Sequence, residues 1–280
     1  MRKRLIINAD DFGLHSQINQ GIKKVLATGI VKSVSFAVNS DAFENSLEIL
    51  RQFPDVTVGV HLNITDGEPV SGGNCPNFLL DANGFFKGNH LKTIGKVFLN
   101  RSQAAGIEGE FDAQIKKALD GGVRIVHLDS HGHIHMLPCL IEIVAGLAKK
   151  YQIPFVRIVN ERPSFSRELF KQTTLNLLSK LAIAKFRRWD IGYADHFWGL
   201  ADSGRVTKEK FCAFLRHIPD GVTEIAVHPG ADNFILAEWF GWGYGWEEEL
   251  AVLLSSDIWE EIESQGITLS GFGEAKVLEN

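Results

Sequence analysis

The segment of this chain with the greatest capacity for chemistry is His127-Leu128-Asp129-Ser130-His131-Gly132-His133-Ile134-His135. If it runs as an extended strand, its four imidazoles and its aspartate share one face, because successive strand side chains point to opposite sides. Imidazoles packed at such density need hydrogen-bond or metal partners when buried. The pattern therefore indicates a metal site or a proton-transfer site.

Three further groups with the same chemistry each follow a strand-like apolar run. Adjacent carboxylates at Asp10 and Asp11 come after Leu5–Ile7, and the histidines His61 and His228 end two later runs. Taken singly, the aspartates could cap or turn the chain, His61 could be a core histidine and His228 could belong to a turn. Their repeated position at strand ends favours one shared site instead.

The elements that must position these groups alternate along the chain. We expect strands at Leu5–Asn8, Ser33–Val38, Thr57–Asn63, Arg124–His131, Phe155–Val159, Glu224–His228 and Thr268–Gly271. We expect helices at Gln17–Thr28, Ala42–Gln52, Glu108–Gly121, Leu137–Tyr151, Glu168–Lys185, Lys208–His217 and Glu247–Gln265, the last broken near Ser256. This alternation predicts an α/β fold with a largely parallel sheet, and seven such units favour closure into a barrel. No Gly-x-Gly-x-x-Gly follows the first strand, which argues against a dinucleotide site.

The chain from Asp66 to Gln103 is the least regular part, rich in glycine, asparagine and proline. A connection of this length is commonly a lid or a binding loop. We therefore expect one domain over residues 1–280, with 66–103 as an insertion that acts as a lid or substrate loop.

In a β/α barrel, functional groups collect where the strands end, so these side chains are expected at one mouth. Mixed carboxylate and imidazole ligands suit Zn²⁺, Mn²⁺, Co²⁺ or Ni²⁺, and also Mg²⁺ when water fills the remaining positions. A partly open ion lowers the pKa of bound water, while a free carboxylate can accept a proton and a histidine can donate one. Such a set predicts a hydrolase of an amide or an ester.

Composition restricts the setting. The net charge of −5 provides no basic field, which argues against a nucleic-acid partner. Three scattered cysteines without paired spacing indicate reduced thiols, and no stretch approaches the roughly 20 apolar residues of a membrane span. We expect a cytoplasmic protein without a transmembrane segment.

The motifs together resemble a known family. Ile6-Ile7-Asn8-Ala9-Asp10-Asp11-Phe12-Gly13-Leu14, Gly59-Val60-His61-Leu62 and the segment from His127 to Pro138 are similar to the YdjC-like carbohydrate deacetylases. These are relatives of the NodB-type polysaccharide deacetylases and include chitooligosaccharide deacetylase. The resemblance implies a distorted TIM-like (β/α) barrel and metal-dependent removal of an N-acetyl group from an amino sugar.

Carried over residue by residue, the resemblance makes Asp11, His61 and His131 the ligands of one divalent ion, Mg²⁺ or Zn²⁺ foremost. Asp10 becomes the general base, and His228 corresponds to a late histidine that serves as the general acid. Neighbouring side chains of a regular strand face opposite ways, so this assignment requires the first strand to end at the aspartate pair.

Further residues are expected to contact the substrate or to support the ligands. His133 and His135 fit the family motif, and we expect Arg157 and Trp198 to contact the substrate. The segment Asp195–Leu200 is similar to family members associated with hopanoid biosynthesis, which implies an N-acetylglucosaminyl glycolipid as an alternative to a chitooligosaccharide. The resemblance also implies a homodimer.

Two other functions are also compatible with the sequence. A barrel metallohydrolase acting on phosphate esters would need a second metal or clustered cations, and Arg157 and Arg162 are the obvious candidates. A non-catalytic barrel that binds sugar or metal would tolerate loss of the base, whereas this chain keeps both Asp10 and Asp11.

Overall fold

The computed structural model describes residues 3–88, 90–161 and 169–273. Within them the strands are β1 Lys3–Phe12, β2 Ser33–Phe36, β3 Thr57–Leu62, β4 Ile125–Ser130, β5 Phe155–Val156, β6 His196–Trp198, β7 Gly221–Val227 and β8 Thr268–Leu269. The α-helices are α1 Ser16–Thr28, α2 Phe43–Leu50, α3 His90–Leu99, α4 Ala104–Asp120, α5 Pro138–Lys150, α6 Leu169–Trp189, α7 Lys208–Arg216, α8 Asn233–Phe240, α9 Trp246–Leu253 and α10 Ser256–Ser264. None of the helices in these ranges has the length and apolar character needed to cross a membrane.

The strands form one parallel sheet in the order β5-β4-β3-β2-β1-β7-β6, and the short β8 pairs with β1. A parallel bridge between Phe155 and Gly192 joins β5 to the chain that leads into β6. The sheet therefore curls until its two edges approach each other. The expected distorted TIM-like barrel is confirmed.

The helices cover the sheet with apolar faces. In α1, Ile18, Ile22 and Val25 are buried at helical spacing, and the helix ends at Gly29, whose φ of 76° is favourable only for glycine. The predicted last helix is broken as expected, into α9 and α10. Strand β6 and helices α3 and α8 were not predicted, because they are short or lie in segments that read as irregular.

One prediction about the histidine-rich segment is wrong. Strand β4 ends at Ser130, and His131–Met136 form a 3-10 turn with left-handed backbone at Gly132 (φ 62°) and His133 (φ 59°). The side chains beyond Ser130 therefore do not share the face of Asp129. Each of the histidines in the segment has a different environment, which the sequence alternation did not reveal.

The barrel interior contains polar side chains that serve packing. The ring of His127 stacks on Phe272 with centroids 4.1 Å apart, and its Nε2 lies 3.1 Å from Oγ of Ser35. Burial lowers the pKa of His127 to about 4, so the ring is neutral at pH 7. A Cβ added at Gly59 would meet this imidazole at 2.2 Å, which explains why β3 carries a glycine there.

Replacing Gly59 by alanine should therefore destabilise the barrel by about 1–3 kcal/mol, the usual cost of overpacking a core. Gly146→Ala is the matched control, because a Cβ at this position of α5 meets no atom within 4 Å. It should raise the free energy of unfolding by about 0.5–1 kcal/mol through helix propensity. Urea denaturation of the two variants measures the difference, and equal stabilities would contradict the packing of His127 against β3.

Candidate active site

The site begins with an irregularity in β1. The pairing of β1 with β2 shifts between Ala9 and Phe12, and Asp11 has a φ of 63°. A bulge of this kind changes the direction of a side chain within a strand. As a result, the adjacent aspartates have different partners: Asp10 pairs with Arg157, and Asp11 contacts two histidines. The strand does not end at the aspartates, as the sequence reading required, but bends within itself.

Three predicted metal ligands come together at this bend. Oδ1 of Asp11 lies 2.7 Å from Nδ1 of His131 and 3.3 Å from Nε2 of His61. One candidate ligand atom from each residue lies within 4.8 Å of the others, and all three residues are buried. Among the described residues, Oδ2 of Asp11 has no hydrogen-bond partner. A buried carboxylate oxygen without a donor is the kind of atom that a bound cation satisfies, so the donor set fits a divalent ion.

Asp129 sets the orientation of His61. Its Oδ1 lies 2.9 Å from Nδ1 of His61, while its Oδ2 accepts a hydrogen bond from Ser35 at 2.6 Å. With Nδ1 engaged, Nε2 of His61 faces Asp11. A carboxylate behind a ligating imidazole fixes the tautomer and raises the basicity of the ring. This is the geometry expected of a metal-binding histidine with its outer partner.

The charges of this cluster depend on one another. Burial alone would lower the pKa of His61, but Asp129, Asp11 and Asp10 together raise it to about 10. Burial would raise the pKa of Asp11, yet His131 and His61 hold it well below its usual range. Without a metal ion, protons on the imidazoles therefore balance the buried carboxylates.

Arg157 is the charge partner of several carboxylates beneath the site. Its two terminal nitrogens lie 2.7 Å from the two oxygens of Asp10, its Nη1 is 2.7 Å from Asp129, and its Nε donates to Glu224 at 2.6 Å. The side chain is 0% exposed. The predicted substrate contact is therefore corrected: Arg157 has no accessible surface, and it holds Asp10 in place instead.

His228 follows β7 and faces the same mouth. Its backbone N–H donates to Oε2 of Glu249 at 2.7 Å, and its Nδ1 is 3.9 Å from the same oxygen. The ring packs edge-on against Tyr244 at 5.1 Å. Burial raises the pKa of Glu249. The buried carboxyl group of Glu249, in α9, thus holds the backbone of His228 in place at the end of β7.

Aromatic rings connect His228 to His131, one of the predicted metal ligands. The ring of Tyr244 lies 5.6 Å from that of Trp242, which lies 4.8 Å from the ring of His131. Sequence reasoning did not single out Tyr244 or Glu249. The alternation of glycine with aromatic residues at 239–246, Trp-Phe-Gly-Trp-Gly-Tyr-Gly-Trp, was the available signal.

Asp66 was also missed as a site residue. Its Oδ2 is 3.5 Å from Nε2 of His131. The side chain of Asn63 caps the turn before it, accepting hydrogen bonds from the backbone N–H groups of Thr65 and Asp66. Such an Asx turn is a local device, and the segment Asn63-Ile64-Thr65-Asp66-Gly67 carried its signal.

The remaining predicted substrate residues have other surroundings. His135 is buried between Oγ of Ser130 and the carbonyl of Arg157, so it offers no surface to a substrate. This prediction is corrected. Trp198 is half-buried and stacks on Phe214 of α7 at 4.6 Å, and its contact with a substrate stays a prediction. His133 is half-buried, with its ring 5.6 Å from that of Phe197. Arg162 lies outside the described residues.

The profile of the YdjC-like protein family matches residues 4–264. The chain belongs to this family. It is 31% identical over 275 residues to a carbohydrate deacetylase of Brevibacillus brevis, covering 97% of this chain and 99% of that protein. It is 30% identical over 251 residues to a carbohydrate deacetylase of Mus musculus, covering 82% and 78%.

Solved structures agree on the fold. A crystal structure from Enterococcus faecalis, of a protein whose name refers to cellobiose-phosphate cleavage, has a TM-score of 0.74 at 28% identity and covers 98% of this chain and 99% of its own. The lactam utilization protein of Thermus thermophilus has a TM-score of 0.50 at 11% identity, over 96% and 99% of the two chains. The second likeness concerns the fold alone.

The geometry predicts that chelator-treated protein binds one Zn²⁺ per chain through Asp11, His61 and His131. Alanine at any of the three should weaken binding by more than ~100-fold, since even outer partners of ligands contribute about 10–100-fold. His133→Asn is the matched control from the same motif and should bind as the wild type does, because asparagine tolerates left-handed backbone. Calorimetric titration measures the Zn²⁺ affinity. A residue whose alanine variant binds Zn²⁺ as tightly as the wild type does is not a ligand.

Binding should also release protons. At pH 7, the pKa of about 10 keeps His61 protonated in the metal-free protein, so a metal must displace that proton. Affinity should therefore rise with pH up to about 10. At least one proton should leave per ion bound at pH 7, because Asp11 outweighs burial and raises the pKa of His131 as well. Titrations in buffers of different ionisation enthalpy measure this number. Affinity that falls with rising pH would contradict the charge balance described above.

Proposed function

We propose that the protein is a metal-dependent carbohydrate deacetylase that removes an N-acetyl group from an amino sugar. The observation that carries the proposal is the buried cluster of Asp11, His61 and His131 beside the separately held carboxylate of Asp10. Relatives that match nearly the whole chain are named carbohydrate deacetylases, which supports the same reaction.

The three clustered side chains would hold one divalent ion, with Zn²⁺ and Mg²⁺ as the first candidates. When bound, the ion would polarise the acetyl carbonyl and lower the pKa of a bound water. The role of Asp129 in this scheme is to keep Nε2 of His61 directed at Asp11.

Asp10 is proposed to accept the proton of the attacking water. One of its carboxylate oxygens is within 4.8 Å of a ring nitrogen of His61, and both oxygens accept hydrogen bonds from Arg157. The paired guanidinium holds the carboxylate in one orientation. A base held in this way is available at the start of the reaction without rearrangement.

His228 is proposed to donate a proton to the departing nitrogen of the sugar. An amide nitrogen leaves poorly without protonation, so an acid is needed across the site from the base. The contacts with Tyr244 and Glu249 hold the ring at the mouth, where the aromatic series leads back to His131.

The described residues do not favour a phosphate-ester hydrolase. Such an enzyme needs free cations for the phosphoryl oxygens, whereas Arg157 is buried and already surrounded by carboxylates. For the substrate itself, a chitooligosaccharide and an N-acetylglucosaminyl glycolipid are the two candidates. The name of the Enterococcus relative adds phosphorylated disaccharides to the compounds worth assaying.

Acetate release from N-acetylglucosamine, N,N′-diacetylchitobiose and an N-acetylglucosaminyl glycolipid, with a series of divalent metals, tests the proposal. Asp10→Asn should lower kcat by on the order of 10²–10⁴ while the bound metal stays near the wild-type amount. Asp55→Asn, an exposed change in the turn before β3, is the control and should keep full activity. Phosphate release, or metal and sugar binding without turnover of any substrate, would contradict a deacetylase.

His228→Gln should distinguish a general acid from a packing residue. Hydrolysis of an N-acetyl sugar should fall by on the order of 10²–10⁴, because its amine leaving group needs a proton. Hydrolysis of an activated acetyl ester should fall far less, since its leaving group departs as an anion. Steady-state kinetics on both substrates measure the two losses, and equal losses would exclude the acid role of His228.

A further inference from the structure

A cavity of about 840 Å³ lies next to the metal ligands. Asp66 lines the cavity, and its Oδ2 is 3.5 Å from Nε2 of His131. Its walls come from the loop after β1, the start of α2, the loop after β3 and the end of α8. The volume lies within the range of about 300–1,000 Å³ that small-molecule sites occupy. No step of the proposed reaction uses this space.

Aromatic rings form one wall of the cavity, and the series continues to the metal ligands. His15 lies 5.2 Å from Trp239 and 6.1 Å from Phe240, centroid to centroid. Phe240 stacks on Trp242 at 4.2 Å, and Trp242 lies 4.8 Å from His131. Trp239 is 68% exposed although it lines a concave surface. An exposed indole in such a place offers a flat apolar face to a ligand.

The other walls are polar and carry mostly negative charge. The carboxylates are Asp41, Asp66 and Glu68, and among the described residues of the lining the one ammonium group is that of Lys117. Burial lowers the pKa of His15, so this ring is neutral at pH 7. Carboxylates accept hydrogen bonds from hydroxyl groups and repel phosphate.

The rim that carries two of the carboxylates is held by the fold. Nδ2 of Asn39 donates to the carbonyls of Asp66 and Glu68 at 2.7 and 3.3 Å. Between them, Gly67 has a φ of 82°, and a Cβ there would meet the carbonyl of Asn39 at 2.4 Å. The turn is therefore fixed against the chain that follows β2, and its carboxylates have defined positions.

We propose that this cavity is a subsite for an uncharged sugar ring joined to the N-acetylated sugar, that Trp239 is its stacking platform, and that its carboxylates discriminate against phosphorylated sugars. A sugar ring has an apolar C–H face for the indole and hydroxyl donors for the carboxylates. A lining that combines aromatic rings with carboxylates fits this ligand better than an alkyl chain. This inference rests on the proposed function, because the reaction supplies the neighbouring N-acetylated ring.

The test compares kcat/KM for acetate release from N-acetylglucosamine, its octyl glycoside, N,N′-diacetylchitobiose and the 6-phosphate of that disaccharide. The second sugar should raise kcat/KM about tenfold, as one stacked ring contributes. The octyl group should give no comparable gain. The phosphate should reduce kcat/KM by roughly tenfold or more relative to the neutral disaccharide.

Variants locate the effect. Trp239→Ala should reduce the preference for the disaccharide over the monosaccharide about tenfold. Phe234→Ala is the matched control: this residue of α8 is 80% exposed, does not line the cavity and should keep the wild-type preference. The double change Asp41→Asn and Glu68→Gln should relax the discrimination against the phosphorylated disaccharide. If these residues served packing alone, the double change would lower kcat/KM for all substrates equally.

The outcomes separate this inference from the proposed function. Acetate release at equal efficiency from monosaccharide and disaccharide would overturn the subsite and leave the deacetylase intact. A gain with the octyl glycoside but not with the disaccharide would mean an aglycone site instead. If no substrate releases acetate, calorimetry with N,N′-diacetylchitobiose decides: binding that is weakened by Trp239→Ala supports the subsite, and absence of binding overturns it.

Discussion

The site depends on one buried guanidinium. Arg157 has no exposed surface and contacts the carboxylates of Asp10, Asp129 and Glu224. Removing one partner of such a cluster is strongly destabilising, because the remaining charges stay buried without compensation. Burial raises the pKa of Glu224 to about 7. Burial would also raise the pKa of Asp129, but Arg157 and His61 hold it well below its usual range. Arg157 therefore helps Asp129 to remain charged inside a barrel.

Asp10 and Asp129, the two aspartates that contact this guanidinium, have different roles in the site. Asp10 is held in one orientation, and Asp129 fixes His61, whose Nε2 faces Asp11. Asp11 and His133 both have left-handed backbone, with φ of 63° and 59°. Unfavourable backbone conformations in non-glycine residues persist where the surrounding structure holds them, commonly at functional sites. The bend at Asp11 is what separates the two adjacent aspartates into a charge-paired carboxylate and a candidate ligand.

Much of this could be predicted from the sequence, for a simple geometric reason. The carboxyl ends of parallel strands meet at one edge of a sheet, so the aspartate pair, His61 and the histidine-rich segment could be placed at one mouth from their positions after apolar runs. The family resemblance then singled out Asp11 and His131 within these groups. The direction of side chains beyond a strand end could not be predicted, because it depends on the local backbone conformation, which the alternation of residues does not encode. Arg157 was therefore expected at the substrate, whereas its side chain is buried inside the barrel.

We propose that Arg157 reserves Asp10 and Asp129 for positioning and leaves Asp11 to the metal. Anomalous X-ray scattering from crystals loaded with Zn²⁺ tests it most directly, because it locates the ion independently of the assumed ligands. We expect one peak at ~2.0–2.3 Å from Asp11, His61 and His131, with Arg157 still paired to Asp10. A peak coordinated by Asp10 and Asp129, with Asp11 out of reach, would contradict it.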